Sequence, residues 1–264
     1  MQYKGAVFFD YDGTLADEKK GIYYPTETTK KSLKKLSNNG YMVVLATGRA
    51  KCYVPDTGVD FNGYITSNGA VAEVDGNIIT QDFFPQEDVL ELTEKFEGMG
   101  LYYSMENTHQ CYARDINNSG FAAMLDNFHI PKNVFTNFDK NHIPQTSKML
   151  LVYNTEDELR SLSDYFKNRY DFYKHRKFNS ADVTKHDIVK AVGAEAICKR
   201  FNIAGENTYA FGDGTNDYDL LKYAGHGIAM GYHNSALDNV AEFITDTVEN
   251  EGIFKALVHY GLID

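Results

Sequence analysis

At 264 residues the chain is long enough to bury a sizeable core, as one large domain or as two smaller ones. Its composition, 43% hydrophobic and 24% charged, is that of a globular protein, and a formal net charge of −11 argues against the clustered basic face that a nucleic-acid partner requires. Apolar runs are strand-sized, so none is expected to span a membrane, and Met1 leads into the first strand without a charged-then-apolar leader, which points to the cytoplasm.

The first element is the apolar run Gly5 to Phe9, which stops at Asp10-Tyr11-Asp12-Gly13. It reads as a buried parallel strand whose carboxyl end opens on the crevice where α/β sheets bind ligands. Two residues apart on an extended chain, Asp10 and Asp12 point the same way, and Gly13 lets the backbone turn off behind them. The pair reads as a nucleophile and an acid/base beside a metal ion. After an irregular loop over 17–25, Thr26-Glu27 opens a helix to about Asn38, with Asn39-Gly40 as its stop. A second buried strand, Tyr41 to Ala46, ends in Thr47-Gly48-Arg49, and a third, Gly63 to Thr66, ends in Ser67-Asn68-Gly69-Ala70. Asn68, at a strand end above the crevice, reads as a substrate-side residue. Polar strand ends separated by helical or loop crossovers spell an α/β fold with a doubly wound, Rossmann-like parallel sheet.

Asp75-Gly76, between apolar stretches at 71–74 and 77–80, is a hairpin signal. The rhythm then changes. Helices are expected near 86–97, 117–127 and 156–168, and strands near 101–105, 110–114, 148–153, 170–173 and 178–183, mostly antiparallel. The expected organisation is therefore a discontinuous core, 1–81 and 185–264, with an α+β cap domain, 82–184, inserted in it. The α/β rhythm returns with a helix over 190–201 and a strand over 208–211 that ends in Gly212-Asp213-Gly214-Thr215-Asn216-Asp217. A helix to Tyr223, a strand over 227–230, a helix over 235–241, a strand over 243–245 and a helix over 252–259 complete the chain.

Asp213 and Asp217 add negative charge to a site that already holds Asp10 and Asp12. Clustered carboxylates repel one another unless a cation neutralises them. Oxygen-only ligands with no His or Cys beside them select a hard ion, Mg2+ first. Any one aspartate serves equally as a helix cap or turn former, but two strand-end clusters in one chain favour a site. Thr47-Gly48 offers a hydroxyl and unhindered backbone N–H groups, and Lys190 opens a helix; both suit a phosphate. Phosphoryl transfer needs such donors around an in-line nucleophile. Asp10 would attack and form an aspartyl phosphate, while Asp12 would protonate the leaving oxygen and later take a proton from water.

The ordered motifs Asp10-Tyr11-Asp12-Gly13-Thr14-Leu15, Thr47-Gly48-Arg49, Ser67-Asn68-Gly69-Ala70, a lysine, and Gly212-Asp213-x-x-Asn216-Asp217 resemble those of the haloacid dehalogenase (HAD) superfamily of phosphatases. The Cof-like subgroup is most similar, down to the tail motifs Ala229-Met230-Gly231 and Glu251-Gly252-Ile253. The resemblance covers the core and is weak over the cap. Between Asp10 and Thr47 there is room only for a loop and one helix, so the large insertion follows the second motif, as in the sugar-phosphate phosphatases with an α/β cap.

This resemblance implies Asp10 as nucleophile and Asp12 as general acid/base. It implies Mg2+ held by Asp10, the Asp12 carbonyl and Asp213, with Asp217 nearby or through water. Thr47, Asn216 and the Gly48 backbone would touch the phosphate. Lys185 and Lys190 both lie where the chain returns to the core, and the register relative to Asp213 selects Lys190. The implied partner is a small phosphorylated metabolite. Two alternatives stay open: transfer to a second acceptor by a phosphotransferase or phosphomutase, and a receiver module phosphorylated on Asp10, which has no evident use for Asp12 or a cap. Arg49 reads equally as a substrate contact or a surface residue. Cap aromatics such as Phe84, Tyr103 and Phe121 read as packing. Cys52, Cys111 and Cys198, odd in number and far apart, read as thiols of a reducing compartment.

Overall fold

The structure, a computed structural model, describes residues 3–139, 142–175 and 178–264. In chain order, β1 (Gly5–Phe9), α1 (Glu27–Asn38), β2 (Tyr41–Ala46), β3 (Gly63–Thr66), β4 (Val71–Val74) and β5 (Asn77–Gln81) come first. There follow α2 (Gln86–Gly98), β6 (Tyr102–Glu106), β7 (Cys111–Ala113), α3 (Ser119–Asn127), β8 (Phe135–Asn137), β9 (Lys148–Val152), α4 (Glu156–Phe166), β10 (Tyr170–Lys174) and β11 (Ser180–Lys185). The chain ends with α5 (Lys190–Phe201), β12 (Thr208–Gly212), α6 (Tyr218–Tyr223), β13 (His226–Ala229), β14 (Phe243–Ile244) and α7 (Gly252–His259). Two compact units divide it: Met1–Thr47, Pro55–Thr80 and Val189–Asp264 form the first, Gly48–Val54 and Gln81–Ile188 the second.

In the first unit the sheet order is β14-β13-β12-β1-β2-β3-β4-β5. The pairs from β14 to β3 are parallel, and β4 runs antiparallel to β3. All five residues of β1 are buried, as a strand covered on both faces requires. Phe8, Val44 and Ile65 of the sheet share a core with Ile197 of α5 and Leu220 of α6. Helix α1 starts where Thr26 caps it, its hydroxyl accepting the Thr29 N–H at 3.1 Å, and buries Leu33 and Leu36. Asp75 and Gly76 lie at φ 50° and 75°, the left-handed pair of a tight hairpin turn. Chain order runs outward along the sheet from β1 through β2 to β3, and outward the other way from β12 through β13 to β14. Strand order thus reverses at β1, the position where open α/β sheets bind ligands.

The second unit has a six-stranded sheet, β10-β11-β9-β6-β7-β8. Its pairs are antiparallel except β7 with β8. Met149 and Leu151 turn to the face covered by Val89, Leu92 and Phe96 of α2 and Leu159, Leu162 and Phe166 of α4. Leu150, one step between them, turns to the face covered by Phe121, Met124 and Leu125 of α3. Phe84 and Tyr103 are packing residues of the first of these cores.

Three features differ from the sequence reading. The segment 48–54, read with the core, belongs to the second unit, because Ala50 and Tyr53 are buried in the α3 cluster and the Tyr53 hydroxyl donates to Glu106 at 2.6 Å. Strand β8 was not expected; three residues are too few to show a period, and it forms by pairing with β7. The helix expected over 235–241 is a short 3-10 segment, Ser235–Asn239. The three cysteines are free thiols, with Cys52 and Cys111 sulfurs 3.4 Å apart. Among the described residues no helix is long and apolar enough to cross a membrane.

Candidate active site

Four adjacent parallel strands, β12, β1, β2 and β3, deliver Asp213, Asp10, Thr47 and Ser67 at their carboxyl ends. Asp10 is pinned by its N–H to the Phe211 carbonyl at 3.0 Å, and Thr47 by its N–H to the Ile65 carbonyl at 2.8 Å. Behind Asp10 the Tyr11 carbonyl accepts the N–H groups of Thr14, Leu15 and Ala16 at 3.3, 3.0 and 3.0 Å, so the chain turns at once. Gly13 sits in that turn at φ 97°, with its Cα against the Asp213 carboxylate. A Cβ there would lie 2.3 Å from the carboxyl carbon.

Lys190, the first residue of α5, is fully buried. Its Nζ stands 2.6 Å from Asp10 Oδ1 and 2.6 Å from Asp217 Oδ1. The other oxygen of Asp217 accepts the N–H groups of Asp213 and Gly214 at 3.1 and 2.9 Å. Asp217 thus holds both the lysine and the loop that carries Asp213. Oxygens of Asp10, Asp213 and Asp217 lie within 4.8 Å of one another. Burial, and then the Asp217 charge, push the Asp10 carboxyl well above its usual range against the pull of Lys190. Burial draws the lysine down, but Asp10 and Asp217 outweigh it and hold the ammonium charged. Both directions follow from several carboxylates around one ammonium. A donor set of hard oxygens with excess negative charge, and with neither His nor Cys in the cluster, fits a divalent cation of the Mg2+ kind.

The remaining sequence-read residues divide. Thr47 is buried at its strand end, and Asn68 is buried with its Oδ1 accepting the Asn216 Nδ2 at 3.0 Å. Asp12 is exposed on the turn after Tyr11, outside the carboxylate cluster. Gly48 follows Thr47 but opens the segment that belongs to the second unit, and Arg49, a buried residue, lies in that same segment. Lys185, the other lysine considered, pairs with Asp82 at 2.8 Å in that unit. Sequence reasoning gave no role to the hydroxyls of Thr14 and Ser67, both buried without a hydrogen-bond partner among the described groups. The turn signal at 67–69 was visible, but no local pattern shows that a serine there is buried.

Residues 7–257 match the family model of the haloacid dehalogenase-like hydrolases. A "Putative bifunctional phosphatase/peptidyl-prolyl cis-trans isomerase" of Streptococcus pyogenes is 30% identical over 98% of this chain, which spans 54% of that relative's length. "Putative phosphatase YkrA" of Bacillus subtilis is 27% identical over 97% of this chain and 98% of its own. Among solved structures, the HAD subclass IIB sugar phosphatase BT4131 superposes with a TM-score of 0.86 at 27% identity, covering 98% of this chain and 100% of its own. The expected α/β core with an inserted cap is the fold that this likeness shows.

Proposed function

The chain belongs to the haloacid dehalogenase-like hydrolases, and from that premise we propose that it is a Mg2+-dependent phosphatase of the Cof type that hydrolyses small phosphomonoesters, sugar phosphates first among them. The observation that carries the reading is Lys190 held at 2.6 Å between Asp10 and Asp217, with Asp213 in the same cluster, at the carboxyl ends of β1 and β12. The sugar phosphatase among its structural neighbours supports the substrate class.

Asp10 attacks the phosphorus, and its new O–P bond forms as the bond to the leaving oxygen breaks. Lys190 engages Oδ1 of Asp10 and so commits the attack to Oδ2. Asp12 gives its proton to the leaving oxygen, then takes one from the water that displaces Asp10, so that alcohol and inorganic phosphate leave and both carboxyls are restored. Thr47, Asn216 and the Gly48 backbone hold the phosphate oxygens. Asp10, the Asp12 carbonyl and Asp213 would hold Mg2+, which when bound would neutralise charge on the phosphate oxygens.

A panel of phosphorylated metabolites with phosphate release as readout tests this. Release is expected from sugar phosphates, to fall to background after treatment with EDTA and to return with Mg2+. An isomerised sugar phosphate without free phosphate would replace hydrolysis by intramolecular transfer, and a stably phosphorylated protein without turnover would replace the enzyme by a receiver. Gly13→Ala probes the site's shape. Its Cβ would displace the Asp213 carboxylate, so kcat/KM is expected to fall about 10- to 100-fold, as when a metal ligand loses its support. Wild-type kcat/KM in this variant would show that Asp213 has no fixed place in the chemistry.

A further inference from the structure

The turn Ser67–Gly69 carries three consecutive left-handed residues, at φ 52°, 54° and 107°. Only the last is glycine, and side chains populate that region sparsely, so the surroundings must hold the turn in place. Three ties do so. The Asn68 N–H donates to the Thr47 carbonyl at 3.2 Å. The Asn68 Oδ1 accepts the Asn216 Nδ2 at 3.0 Å. Gly69 lies flush against the start of α5, where a Cβ would meet the Val189 carbonyl at 2.1 Å and the Lys190 nitrogen at 2.9 Å. One buried turn therefore touches each of three segments that carry phosphate-binding candidates.

We infer that Asn68 is a positioning residue that acts through Asn216, an inference that rests on the proposed phosphatase reading. The end of an asparagine side chain rotates in a broad torsional well, and a half-turn exchanges its donor for its acceptor. An Asn216 amide turned the wrong way would set a carbonyl oxygen against a phosphate. Its Nδ2 bears two hydrogens, and bonding one to Asn68 fixes which end of the amide donates. On its other side, Asn216 Oδ1 packs against Gly214, where a Cβ would lie 2.6 Å away. The carboxamide is held from both ends with its nitrogen selected by Asn68.

Phosphate release by the wild type, Asn68→Gly, Asn216→Ala and the double variant closes a cycle that tests the coupling. Glycine keeps the left-handed backbone and removes only the side chain. The value of kcat/KM is expected to fall about 10-fold in Asn68→Gly, the effect of one hydrogen bond, and no further in the double variant than in Asn216→Ala. Independent, additive losses would overturn the inference. NMR signals of the side-chain amides read the tie without substrate. The Asn216 signal, identified by its loss in Asn216→Ala, is expected to shift in Asn68→Gly and to hold its place in Asn68→Asp, which retains an acceptor oxygen. The Asn68 signal is expected to shift in Asn216→Ala, a reading that stands even where Asn68→Gly does not fold. Signals that fail to move overturn the tie. A wild-type protein that releases phosphate from no ester would overturn the proposed function instead, with the amide signals still deciding on Asn68.

Discussion

Asp10→Asn is expected to reduce phosphate release by about 10^4-fold or more, the scale of losing a catalytic nucleophile, while the protein melts at or above the wild-type temperature. Asparagine matches the carboxylate in shape but supplies no anionic oxygen to attack phosphorus. Its effect on the fold runs the other way. Asp10 is buried beside Asp217, and both burial and that neighbouring charge disfavour its ionised form. Removing the charge relieves the repulsion, and Lys190 keeps its bond to Asp217. Steady-state turnover on the best substrate of the panel and a circular-dichroism melt check both halves. Acid-quenched wild type should carry phosphate at residue 10 and the variant none. Undiminished turnover in Asp10→Asn would sink the covalent mechanism, whereas loss of turnover with loss of fold would reassign Asp10 to structure.

The first unit was legible in the sequence because its signals are local. The run Gly5–Phe9 is apolar throughout because both faces of β1 are covered, and the chain stops being apolar where the strand leaves the sheet. Helix α5 falls on the expected bounds, 190–201. Asp75-Gly76 names its own turn through the two left-handed residues it needs. What the sequence hid is what only long-range contact decides. Asn68 and Asn216 lie 148 residues apart, and no pattern around either announces the other. The segment 48–54 continues from a core strand, yet Tyr53 and Ala50 are drawn into the second unit by partners in its sheet and in α3. Lys148 is the sharpest case. It heads an apolar strand, and nothing in the neighbouring residues marks it as buried, yet its exposure is 1%.

That lysine carries the largest stability prediction. Its Nζ lies 2.7 Å from Asp182 Oδ1, 3.1 Å from Glu106 Oε2 and 3.1 Å from the Tyr53 hydroxyl. Ser104 donates to the other Glu106 oxygen at 3.0 Å, and His175 stands 3.5 Å from Asp182. Lys148→Met would leave two carboxylates buried without their cation, which costs about 3–5 kcal/mol. The triple variant Glu106→Gln, Lys148→Met, Asp182→Asn removes the charges together and is expected to recover most of that loss, since a neutral set of similar shape leaves no unpaired ion. The pH dependence has a definite sign. Burial draws the Lys148 pKa down, but Asp182 and Glu106 outweigh it and the net shift is upward. Its contribution is therefore complete below about pH 10.4 and lost as pH rises through the elevated folded value. Burial raises Asp182, but Lys148 and then His175 outweigh it and the net shift is downward. Its contribution is present above about pH 4 and lost as pH falls through the depressed folded value. In Lys148→Met, Asp182 loses the cation that holds its pKa down and takes up a proton more readily, so the stability gap to wild type should be widest near neutrality and narrow on acidification. The chain has no tryptophan, so urea unfolding followed by tyrosine fluorescence and circular dichroism gives the comparison. A gap below about 1 kcal/mol at pH 7, the range of an exposed ion pair, would mean that water reaches this network and that the second unit does not depend on its buried lysine.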